Sequence, residues 1–128
     1  MKNKEIYDSA LSLLAQSSNG SDNADYEERA PYLISNFCYE VLELDRFARR
    51  LLGLPEVTYN IPSAISLDVD FPLLDRFISS AVKYLAAMLV IDEDGELSDK
   101  LFDMYCDGVS RLREELPAAI ESIVNKYL

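Results

Sequence analysis

The stretch from Leu73 to Ile91 constrains this chain more than any other. Its polar members are Asp75, Arg76, Ser79, Ser80 and Lys83, which share one narrow stripe of a helix and leave the rest of the circumference apolar. A helix of that kind belongs in the middle of a helical protein, with neighbours on several sides. The apolar portion, Ile78 to Ile91, is interrupted by Lys83 and is too short for the roughly 30 Å of bilayer hydrocarbon, so no membrane span is expected. Asp70 is the expected N-cap, with Pro72 in the first turn.

Neighbours for such a helix are legible on both sides. Ile6, Ala10, Leu13 and Leu14 recur at helical spacing and predict a short amphipathic helix from Lys4 to Gln16, followed by the polar turn formers of residues 17–23, with Gly20 as C-cap. Apolar residues from Ala30 to Leu52 recur every three or four positions and predict a long second helix from Asp25 to Leu52. Asp25, Glu27 and Glu28 suit its N-terminal end, and Arg46, Arg49 and Arg50 suit its C-terminal end. Pro31 marks either a kink or the true first turn of that helix. After the third helix, Asp92-Glu93-Asp94-Gly95 breaks the pattern, and Leu97, Leu101, Met104, Tyr105, Val109 and Leu112 resume it. The third and fourth helices therefore form an antiparallel hairpin across a tight acidic turn. Gly108 costs about 1 kcal/mol against Ala in a helix interior, which points to a close helix crossing there. Pro117 is expected to kink or restart the chain before a last amphipathic segment with Ile120, Ile123, Val124 and Tyr127.

Between the second and third helices, residues 53–72 contain Gly53, Pro55, Pro62 and Pro72, and only Val57-Thr58-Tyr59 has strand propensity. A connection this long in a compact domain is uncommon and tends to be functional or partner-bound. The expected architecture is all-α: one domain over residues 1–128, a small bundle of four to five helices with a long ordered loop between helices two and three. Its core is expected to hold Leu33, Phe37, Val41, Leu44, Ile78, Val82, Leu85, Leu89, Leu101, Tyr105 and Leu112.

Charge narrows the function. Twelve Lys and Arg against 23 Asp and Glu give a net charge of −11 with no histidine, the opposite of a nucleic-acid or anionic-lipid binder. Without histidine, Ser-His-Asp and Cys-His chemistry are excluded and the commonest nitrogen ligand for zinc is missing. Cys38 and Cys106 match no metal or redox spacing and read as buried free thiols. The first residues turn amphipathic at once, without the apolar run of a signal peptide. A soluble intracellular protein is expected.

Three constellations invite a chemical reading. Asp92 to Glu96 resembles the start of a calcium loop, but the sixth position is Leu97 where the bend needs Gly, and the twelfth is Asp103 where a bidentate Glu is usual. Capping and the helix dipole already account for acids at that place. Glu40 with Glu43, and Glu96 with Asp99, form carboxylate pairs at i and i+3 on different helices, as a magnesium-dependent all-α nucleotide pyrophosphatase requires; their wide separation and the lack of a basic phosphate motif make this the remote alternative. Arg46, Arg49 and Arg50 could hold an anion, but at this spacing they read as a helix's last turn paired with Glu43 and Asp45. Catalytic, cofactor and metal residues are therefore expected to be none. Eight tyrosines, among them Tyr26, Tyr39, Tyr59 and Tyr127, suggest contact area.

Arg29-Ala30-Pro31-Tyr32-Leu33-Ile34, and Lys83-Tyr84-Leu85-Ala86-Ala87-Met88-Leu89 running into the acidic turn and then Glu96-Leu97 through Phe102 to Tyr105, resemble the small phage and prophage head-tail connector (adaptor) proteins of Gram-positive bacteria. The likeness covers helices two to four and lies in hydrophobic pattern, not in reactive residues. It implies a structural protein that joins identical copies in a ring on the portal, partnered by portal and tail-completion proteins. Such a protein resides in the host cytoplasm during assembly and then in the virion neck, with no small-molecule substrate and no sequence-specific nucleic acid. The alternative is a small acidic regulatory or adaptor protein that binds a single protein partner. In either case the expected interface residues are Val57, Tyr59, Ile61 and Ile65 of the loop, and Ile120, Ile123, Val124, Tyr127 and Leu128 of the last segment.

Overall fold

The structure, a computed structural model, describes residues 1–14, 23–56 and 60–127, and their side chains except at residue 23 and residues 116–127. Four α-helices account for most of them: α1 (Asn3–Leu13), α2 (Asn23–Leu52), α3 (Ile78–Val90) and α4 (Gly95–Tyr127), with a 3-10 turn at Asp75–Phe77 leading into α3. The fold is all-α, and among the described residues the one β feature is an isolated antiparallel bridge between Lys2 and Asp70. The possible strand at Val57-Thr58-Tyr59 and the Gly20 cap lie outside the described residues. No described helix is long and apolar enough to cross a membrane.

The apolar circumference of α3 dictates the packing. It touches α1, α2 and α4 alike, and Leu85, Ala86, Ala87, Leu89 and Val90 are fully buried between them. Ile6, Ala10 and Leu14 close the core from α1, Ile34, Phe37 and Val41 from α2, and Leu101, Tyr105 and Val109 from α4. The expected core is corrected at its rim: Leu33, Leu44, Ile78, Val82 and Leu112 are half-buried and pack against the core from outside. On α2 the buried stripe runs through Ala30, Ile34, Cys38, Val41, Asp45 and Ala48, so its phase admits a polar residue that a hydrophobic count passes over.

α3 and α4 form the expected antiparallel hairpin. Ser98 Oγ donates to Ala87 O at 2.9 Å near its closed end, and at its open end a Cβ on Gly108 would stand 3.0 Å from Ser80 Oγ. Gly108 thus permits the close helix approach its position suggested.

Three helix boundaries differ from expectation. α3 starts at Ile78, not near Leu73, because Leu74 is extended (φ −62°, ψ 150°) and its N–H is taken by Asp45 Oδ1 at 2.9 Å. Asp70 therefore caps no helix; it pairs with Lys2 instead. Pro31 lies inside α2 rather than in its first turn, and its carbonyl, with Ser35 Oγ, accepts the Ile65 N–H at 3.2 and 2.8 Å. α4 continues through Pro117 without a restart, since one proline removes a single i→i−4 bond and leaves the neighbouring turns able to go on.

Candidate functional site

The residues that precede α3 form a strap, 60–74, whose placement rests on polar ties. Tyr39 Oη donates to Ile61 O, Asn3 Nδ2 donates to Ser66 O at 3.0 Å, and Lys4 N–H and Asn3 N–H reach Leu67 O and Val69 O at 2.9 and 3.0 Å. At its far end Arg49 donates to Asp45 Oδ2 at 2.8 Å and to Pro72 O at 3.1 Å. Asp45 is fully buried, and the Arg49 side chain is 17% exposed. A buried carboxylate persists when its lone pairs are filled and a counter-charge stands beside it. Here Arg49 and the Leu74 N–H supply both. Ile61, Ile65, Phe71 and Leu73 are buried under the strap.

This corrects the expected interface. Ile61 and Ile65, at 3% and 4% exposure, anchor the loop to the body and offer no outer surface, because every second side chain of an extended segment turns inward when one face is buried. What the strap presents outward is a shallow depression of about 420 Å³ that Pro62, Ala64 and Val69 border. Val57, Tyr59 and Leu128 lie outside the described residues, as do the side chains of Ile120, Ile123, Val124 and Tyr127.

The other singled-out groups also act within the fold. Arg46 pairs with Glu43 at 2.8 Å and Arg49 with Asp45, the partners their spacing suggested. Asp94 caps α4 by accepting Leu97 N–H at 3.1 Å. Tyr26, expected at the surface, is fully buried and donates to Glu93, which ties the acidic turn to the start of α2. Arg29 donates to Met88 O and Leu89 O at 2.9 and 3.5 Å, at the C-terminal end of α3. Among the described residues, Glu40, Glu43, Glu96 and Asp99 included, no three carboxylates or thiols converge as a metal site.

Aromatic rings run from the core to the surface between α2, α3 and α4. Phe37 lies 5.8 Å from Tyr84 and 6.0 Å from Tyr105, and Tyr105 lies 5.4 Å from the exposed Phe102. Burial first, and the Glu40 carboxylate second, push the Tyr105 phenol up to about 12. The same causes in the same order raise Tyr84. Burial and nearby Asp45 push the Cys38 thiol up to about 12, so it is an inert core group. Cys106 is a free thiol too, but it is exposed, contrary to expectation.

No protein-family model, curated protein or solved structure matches this chain. Sequence reasoning missed the Asp45–Arg49 tie as an organiser of the strap. The signal was a charged residue at a position where the α2 periodicity calls for an apolar one.

Proposed function

We propose that this protein is a non-enzymatic structural component, a phage or prophage head-tail connector that assembles as a ring on the portal. The observation that carries the reading is the length of α4. Its 33 residues rise about 50 Å, whereas the 13 residues of α3 rise about 20 Å. The Ser80–Gly108 crossing lies near the start of α3, so α4 continues about 28 Å past it at 1.5 Å per residue. A helix that outruns its partner within the chain is suited to meet a neighbouring subunit. The internal ionisable groups act in support: Asp45, Arg49, Tyr26 and Arg29 hold the fold together and leave no reactive group poised in a cleft. An acidic surface lets DNA pass through a ring without adhering to it. In this reading the body is a four-helix bundle, its ordered loop between α2 and α3 forms part of the subunit surface, and the protein moves from the host cytoplasm to the virion neck.

Negative-stain imaging and sedimentation velocity of the full chain, alone and with portal protein, test the proposal. Rings, or a ring-shaped density bound to the portal, are expected. A strictly 1:1 complex with some other protein would favour the acidic regulator, and release of pyrophosphate from nucleoside triphosphates with magnesium would replace both readings with the enzyme.

A further inference from the structure

The topology sorts the charges of this chain along its long axis. Tyr26 bonded to Glu93 places the start of α2 at the α3–α4 turn, and Asp45 bonded to Leu74 places the end of α2 at the start of α3. Six of the seven arginines then lie toward one end: Arg46, Arg49 and Arg50 on α2, Arg76 in the 3-10 turn, and Arg111 and Arg113 on α4 just past Gly108. The seventh, Arg29, is engaged with the carbonyls of Met88 and Leu89 at the opposite end. That opposite end exposes Glu28, Asp92, Glu96 and Asp99, none of which has an ion-pair partner among the described residues.

At the arginine end, Arg76, Arg111 and Arg113 are exposed and without an ion pair among the described residues. Arg50, 60% exposed, holds Glu56 only loosely, at 3.4 Å. Exposed pairs of this kind are weak and readily exchanged. We infer that copies of this chain associate head to tail, the acidic α3–α4 turn of one copy docking on the arginine end of the next. Such a contact uses two different patches, and it gives a ring where the rotation closes and a filament where it does not. The inference rests on the proposed reading of the protein as an assembling component and adds the surfaces that meet. Charge complementarity selects a second copy as occupant, because both complementary patches belong to the same chain.

Two double variants test it: Arg76→Glu with Arg111→Glu, and Asp92→Lys with Asp99→Lys. These side chains are exposed, so circular dichroism and melting temperature should match the parent. Sedimentation velocity of the parent chain at 20 mM salt is expected to show concentration-dependent association that is lost at 500 mM, where screening acts within a few ångströms. Each double variant alone should dissociate at least tenfold more readily. An equimolar mixture of the two should regain the parent's association, since each reversed end then meets its complement. A parent that stays monomeric at low salt overturns the inference, and portal binding still decides the connector reading separately. Association that ignores salt and charge reversal overturns it while leaving assembly intact, and a mixture that fails to recover overturns the head-to-tail arrangement.

Discussion

The α3–α4 hairpin and the strap of residues 60–74 are held by different physics. The hairpin follows from local pattern: apolar residues at helical spacing, an acidic turn whose Asp94 caps the next helix, and a glycine where the helices come closest. The strap has no periodicity of its own. Tyr39, Ser35, Asp45 and Arg49 on α2 and residues 1–4 hold it from far along the chain. Helices can be stabilised by repetition of one contact type, whereas an irregular segment needs a partner for each buried backbone group.

The largest expected effect tests the strap. Asp45→Ala leaves Arg49 without its carboxylate and Leu74 N–H without an acceptor, at a cost of about 3 kcal/mol. Urea denaturation measures that loss, and hydrogen exchange should quicken at Ile65 and Phe71 more than in α3. A loss below about 1 kcal/mol would show that apolar burial alone places the strap.

The hairpin is tested by Gly108→Leu, which forces a side chain against Ser80 and should cost about 1–3 kcal/mol. Its exchange signature should be the reverse, with α3 and α4 loosening while the strap stays protected. Between the two regions lies Tyr26→Phe. It removes the hydrogen bond to Glu93, a carboxylate exposed enough to rehydrate, so thermal melts should show about 1 kcal/mol.

The smallest effect at neutral pH concerns the two thiols and becomes visible only in alkali. Folding raises the Cys38 thiol from 9.0 to about 12 and the Tyr105 phenol from 10.0 to about 12. The folded state therefore keeps protons that the unfolded chain releases. Stability is full below pH 9 and falls as pH climbs from 9 toward 12, the Cys38 contribution beginning first. Denaturation midpoints across that range check the slope, and Cys38→Ala should flatten its part between pH 9 and 10. At pH 8 a thiol reagent should modify Cys106 at once and Cys38 only after unfolding.

Particular residues show how far the sequence could be read. The all-α class, the centrality of the third helix, the hairpin and the Gly108 crossing were legible because each is written in the spacing of neighbouring residues. The α3 start was not, since Leu73 and Leu74 fit a helical stripe and only the distant Asp45 draws them out of it. The same blindness put Ile61 and Ile65 on an interface and Tyr26 at the surface. Their apolar bodies suit either side of a boundary, and burial depends on what folds over them.

By itself, then, the amino-acid order determined which segments are helical and which helix is central, because periodicity and capping act within a few residues of chain. Only the tertiary structure decided where the strap lies, which charged pair enters the interior and how the arginines gather toward one end. Those outcomes depend on groups tens of residues apart being brought within a hydrogen bond of each other, a distance that no local pattern records.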